Sequence, residues 1–127
     1  MNWETKRLAE ADDVRAPDGS TVSPLLAVEA GSFCHCTLPA GAVSRSVRHR
    51  TVTEAWYVLD GAGELWRAVG DEAETVGLAP GTCISIPRGA SFQFRASSDL
   101  RIFIGTFPAW PGEQEAVATD GAWEPSV

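Results

Sequence analysis

Histidine is scarce in this chain. Only His35 and His49 occur among 127 residues, so a metal cage built from three or four imidazoles is excluded by count. Cysteine is nearly as rare. Cys34, Cys36 and Cys83 make an odd number, which fits free thiols rather than a disulfide framework. Cys34 and Cys36 stand two apart in an apparent strand, so they share a face and are held too far apart to bridge each other. Positive charge is also in deficit: 10 Lys and Arg face 17 Asp and Glu, a net charge of −7. That argues against a nucleic-acid partner, which needs clustered cations. No apolar run is long enough to cross a membrane, and the charged start of the chain lacks the apolar core of a secretory signal. The expectation is a cytoplasmic protein with no membrane partner. Missing too are a nucleophile elbow, a phosphate-binding glycine loop and a Cys-x-x-Cys pair.

What is present is a series of short β-like runs separated by Gly, Pro and Asp turn signals, the pattern of an all-β sandwich or barrel. Strands are expected at 25–29, 32–38, 46–50, 54–60, 63–69, 75–78, 82–86, 92–96 and 100–107. Asp60-Gly61-Ala62-Gly63 reads as a hairpin turn, and Ala79-Pro80-Gly81 and Pro87-Arg88-Gly89 as tight turns with Pro presetting φ. Residues 5–14 are read as a short helix or irregular lead-in. The tail from Pro108 is rich in Pro, Gly and acidic residues and is expected to lie over the barrel surface. With no linker or repeat, residues 1–127 read as one domain: lead-in 1–24, core barrel 25–107 and tail 108–127.

Two segments carry most of the information. The first runs from Gly41 through Val47, His49 and Glu54 to Gly61. The second runs from Gly81 through Pro87, Gly89 and Phe92 to Ala96. Their order and spacing resemble the two signature motifs of the cupin family. The resemblance implies a small antiparallel jelly-roll β-barrel, a double-stranded β-helix that is commonly dimeric, with its site in the barrel mouth. It also implies where the family's usual metal ligands would stand, namely three His and one Glu. Here Val47 and Phe92 occupy two of the three histidine positions, and only His49 and Glu54 remain. No metal cofactor is expected on that basis. Three further groups leave a second possibility open: Cys34 or Cys36, Cys83, or His35 could supply a donor and rebuild a ligand set. The alternative for each cysteine is a small buried hydrophobe.

Strand phase indicates which side chains meet. Val47 and His49 share one face; Glu54, Trp56 and Val58 share another; Phe92 and Phe94 share a third. If all three faces point inward, the interior is mostly apolar with one acid–base pair. A nearby carboxylate should raise the imidazole's affinity for protons, or the two groups simply satisfy each other through a hydrogen bond. Arg48 and Arg50 have the opposite phase to His49 and should face outward. Trp56 is read either as core or as a platform for a flat ligand, and Trp66 as a candidate for a dimer interface.

The functional expectation is a homodimeric protein that binds a small organic molecule in an apolar barrel pocket, without the standard metal centre. Val47, Trp56, Val58, Phe92 and Phe94 would shape that pocket. Two alternatives stay open. His49 and Glu54 could act as a catalytic acid–base pair in an isomerase, dehydratase or cyclase. A non-standard ligand set could also support a metal-dependent dioxygenase or isomerase.

Overall fold

Alternation of side chains along each strand decides the architecture. In the segment Thr53–Asp60, Glu54, Trp56 and Val58 are buried while Thr53, Ala55, Tyr57 and Leu59 are exposed. Such a strand must lay one face on a core. The computed structural model describes residues 3–127 and contains eleven strands: β1 (Val14–Arg15), β2 (Thr21–Ala27), β3 (Ser32–Leu38), β4 (Val47–His49), β5 (Thr53–Asp60), β6 (Gly63–Val69), β7 (Glu72–Leu78), β8 (Cys83–Ile86), β9 (Ser91–Ala96), β10 (Leu100–Phe107) and β11 (Ala116–Ala118). They form two antiparallel sheets. One has the order β1-β2-β3-β10-β5-β8, the other β11-β4-β9-β6-β7. Most neighbours in the sheets are distant in sequence, as in a jelly roll. The inner faces meet over Trp56, Phe92, Phe94, Leu65, Ile86 and Ile102, each 1% exposed or less. Burying a side chain of this size contributes about 1.5–3 kcal/mol. Among the described residues, no helix is long and apolar enough to cross a membrane.

The β5–β6 turn shows why a particular residue is needed. Gly61 has φ of 85°, and a Cβ there would collide with the Asp99 carbonyl oxygen. Only glycine meets both conditions.

Most strand positions agree with the sequence reading, and β3, β6 and β10 coincide with it at both ends. The second strand differs: β2 begins at Thr21, four residues before the expected start. Pro24 lies inside it. That is tolerated because β1 pairs only with Thr21 and Val22, so no neighbour on that side calls for the missing N–H. Strands β1 and β11 were not expected. The segment 5–14, read as a short helix or irregular lead-in, holds a 3-10 turn at Leu8–Glu10, closed by the Arg7 N–H donating to Glu10 Oε1 at 3.0 Å, and the first residue of β1.

The end of the chain packs on the outer face of the five-stranded sheet through Gln93. This side chain is fully buried. Its Nε2 donates to the Ser44 and Trp123 carbonyls, both at 2.8 Å, and its Oε1 accepts from the Ala122 and Trp123 N–H groups, both at 2.9 Å. Arg95 lies 4.1 Å over the Trp123 ring, a cation–π contact.

Candidate functional site

Strand pairing brings the motif residues together. Val47 of β4 is opposite Phe92 of β9, and Glu54 of β5 is opposite Thr106 of β10. His49 and Glu54 thus approach from different sheets. Between the sheets lies a cavity of about 450 Å³, within the usual range for small-molecule sites. Val47, His49, Glu54, Trp56 and Phe92 line it. Two of the expected pocket residues do not. Val58 and Phe94 are wholly buried and stand away from the cavity lining. Phe94 packs edge-on against Trp56, 4.9 Å between ring centroids, and so lies behind that side chain. Strand phase gave the correct face for both residues but not their depth.

Glu54 is held by two donors. Trp56 Nε1 donates to Oε1 at 3.0 Å, and the Thr106 hydroxyl donates to Oε2 at 3.1 Å. Burial nevertheless pushes its carboxyl up to about 7. The two hydrogen bonds oppose the rise and the negative charge of Asp18 adds to it. His49 is 4% exposed. Its ring meets Phe92 and Trp110 edge-on, each at 5.1 Å. Nδ1 stands 4.0 Å from Glu54 Oε1, beyond hydrogen-bond reach. Among the described residues, it is the one buried side-chain polar atom with no partner. Burial pushes the imidazole down to about 4, against a smaller opposing effect of Glu115. The expected effect of the carboxylate on the imidazole is therefore reversed. Burial dominates at both groups, so near neutral pH the histidine is uncharged and the glutamate is close to half protonated.

The proposed substitute ligands scatter. Cys34 reaches the cavity, but burial, followed by Glu54 and Asp18, pushes its thiol up to about 12. Cys36 is buried in the core and Cys83 is exposed. His35 belongs to the opposite face of β3, where its Nε2 accepts from Arg101 Nε at 3.2 Å. Among the described residues, no group of three or more His, Cys, Asp and Glu side chains could hold a metal ion, and both Glu54 oxygens already have protein donors. The residues present do not fit the family's usual metal. Arg45, Arg48, Arg50 and Arg88 are exposed and outside the cavity, where Arg15 is the lining guanidinium.

Sequence reasoning missed three cavity groups. Thr106, at the inner end of β10, completes the Glu54 hydrogen bonds. Trp110, in the tail, covers His49. Asp18 is 8% exposed and lines the cavity, with its carboxyl pushed up by burial against the hydrogen bonds from Ser20. In sequence it belongs to Pro17-Asp18-Gly19-Ser20, which signals a turn and nothing more.

Comparison with known proteins extends this picture. A family model described as a cupin domain matches residues 34–104, more than half of the chain. No curated protein matches the chain. Among solved structures, a variant of the Streptomyces protein Pac13, solved with uridine, is similar over 94% of this chain and 92% of its own, at 14% identity and a TM-score of 0.76. Pac13 is described as a nucleoside dehydratase. Ectoine synthase from P. lautus is similar over 96% of this chain and 94% of its own, at 20% identity and a TM-score of 0.72. The capsular polysaccharide assembling protein CapF from Staphylococcus aureus matches 87% of this chain at 13% identity and a TM-score of 0.74, but this chain spans only 34% of CapF. At such identities the structural likeness establishes the fold alone. With the two motifs, the two facing sheets and the family match all coinciding on the same residues, the chain belongs to the cupin family.

Proposed function

We propose that the cavity binds a small organic molecule that donates a hydrogen bond to His49 Nδ1, and that it does so without the family's usual metal centre. The observation that carries this reading is the unpartnered Nδ1, almost fully buried yet on the wall of a 450 Å³ cavity. A buried acceptor without a donor costs about 1–3 kcal/mol, and a bound O–H or N–H would recover that. The walls contributed by Val47, Trp56 and Phe92 suit an apolar body. The scattered donor set favours this reading over a metal-dependent one.

A second reading is favoured by the charge states of the pair. A neutral imidazole is ready to take a proton, and a carboxyl pushed up to about 7 is ready to give one at neutral pH. In a dehydration, His49 would remove a proton from carbon while Glu54 protonates the departing hydroxyl. The carbon–oxygen bond breaks, a carbon–carbon double bond forms and water leaves. Isomerisation or cyclisation could use the same two groups. The neighbours described as a nucleoside dehydratase and an ectoine synthase make uridine and ectoine sensible first probes.

Calorimetry with uridine and a panel of small hydroxy and amino compounds tests both readings. The binding reading expects His49→Phe to weaken any ligand about tenfold or more, in line with a lost buried hydrogen bond. The catalytic reading expects Glu54→Gln to retain binding and lose turnover. A stoichiometric transition metal that survives dialysis and is lost in His49→Ala would overturn both.

A further inference from the structure

Asp18 is a polar group of the cavity that the acid–base pair does not use. It sits on the turn between β1 and β2, and the Ser20 N–H and hydroxyl both donate to its Oδ1, at 2.9 and 2.6 Å. Among the described residues, only Ser20 and the Asp18 backbone itself donate to this carboxylate. The ion pairs among the described residues join Arg7 to Glu10, His49 to Glu54, Arg67 to Glu74 and Arg95 to Glu64, and none reaches Asp18. A buried carboxylate without a cation is costly. Glu54 differs, because each of its oxygens already accepts from the protein. Around these acids the cavity presents the aromatic rings of Trp56, Phe92 and Trp110, which attract cations as well as apolar groups. The unpartnered His49 Nδ1 is an independent sign that the same space awaits a ligand.

Resting on the reading of this cavity as a small-molecule site, we propose that its ligand carries a cationic nitrogen, an ammonium or amidinium group held by Asp18, on a largely apolar body. Arg15 of β1 and Glu113 of the tail also line the cavity and are exposed, while Cys34, His49 and Glu54 line it from β3, β4 and β5. The three acids outnumber the one permanent cation. The roles divide: Asp18 binds charge, His49 accepts a hydrogen bond, and Glu54, raised chiefly by burial, stays close to half protonated near neutral pH.

Matched probes test this. 2-Phenylethylamine and 2-phenylethanol differ in the group offered to Asp18 and share an aromatic body. Calorimetry at pH 7.5 on the wild-type protein should show the amine binding about tenfold or more tightly than the alcohol, as expected for one charge-assisted hydrogen bond. Asp18→Asn should erase that preference by weakening the amine about tenfold or more and the alcohol much less, since asparagine keeps an accepting oxygen but no charge. Equal or tighter binding of the alcohol to wild type would overturn the inference and leave the pocket reading intact. So would an amine preference that survives in Asp18→Asn, because the amine would then be held elsewhere on an acidic surface. Failure of both probes and of the nucleoside panel would defeat the inference together with the pocket reading. Should Asp18→Asn not fold, the wild-type comparison alone decides.

Discussion

A neutral imidazole and a raised carboxyl 4.0 Å apart push stability in opposite directions as pH changes. His49 falls from an ordinary 6.5 to about 4 on folding, so its contribution is present above pH 6.5 and is lost as pH falls through 4. Glu54 rises from an ordinary 4.5 to about 7, so its contribution is present below pH 4.5 and is lost as pH rises through 7. Between pH 4.5 and 6.5 the native state binds one proton fewer at His49 and one more at Glu54, and the two slopes offset each other. Relative to wild type, Glu54→Gln should therefore gain stability as pH rises across that window, and His49→Phe should lose it, each by at most about 1 kcal/mol per pH unit. Asp18, also raised by burial, adds the same falling slope to all three proteins, so the comparison rests on differences between curves. Urea unfolding at several pH values measures them, and parallel curves for the two variants would contradict the assignment. At this scale the motif spacing and the period of two revealed His49, Glu54, Val47, Trp56 and Phe92. They could not reveal Asp18, because a Pro-Asp-Gly-Ser turn looks the same whether its carboxylate meets solvent or a cavity.

The short strap from Glu113 to Ala118 shows what one element contributes. Strand β11 pairs Ala116 with His49 and Ala118 with Val47, so it forms the edge of the sheet beside the site. Its anchor is Glu115, 4% exposed. The carboxylate accepts from the Thr51 N–H, from the Thr51 hydroxyl at 2.9 and 2.8 Å and from the Val52 N–H at 3.0 Å. Burial raises its carboxyl, but these hydrogen bonds and nearby His49 outweigh burial and leave it below the ordinary value. Glu115→Ala should cost about 1–3 kcal/mol, chiefly by stranding the buried Val52 N–H, and should speed amide hydrogen exchange at the β4 residues that β11 pairs with. Unchanged exchange in β4 would mean that the strap is dispensable. Nothing local announced β11: one Val between two Ala after an acidic turn is too short a run to read as a strand, and the N–H groups that bind Glu115 come from a loop more than sixty positions earlier. Pro24 hid the true extent of β2 in a similar way, because strand tolerance for proline depends on which neighbour is absent.

At the scale of the whole molecule, the outer face of the six-stranded sheet is more apolar than an exposed surface requires. Tyr57, Leu59, Phe103 and Phe107 are 37–46% exposed. Phe103 stands beside Tyr57 in register and stacks on Phe33 with 5.6 Å between centroids. Contiguous patches of this kind often mark an interface, and we propose that a second copy of the chain covers it. Trp66, the residue first considered for that role, is half-buried on the other sheet. Sedimentation velocity should show a dimer for the wild type and a monomer for Phe103→Glu; a monomeric wild type would refute the proposal. The barrel itself was legible because Gly61, Pro87 and Gly89 punctuate two motifs in the right order. Its enclosure was not, since closure depends on pairings between distant segments that no local pattern announces.

The cup has a frame and a rim of different origin. Its floor is cut from interior strands, but Arg15, Asp18, Trp110 and Glu113 arrive from the two ends of the chain. Those end segments pack against the frame with few core side chains of their own. Altering either arm would therefore change the guest, and at the C-terminal side it would also strip the Glu115 and Gln93 hydrogen bonds that tie the rim to the frame.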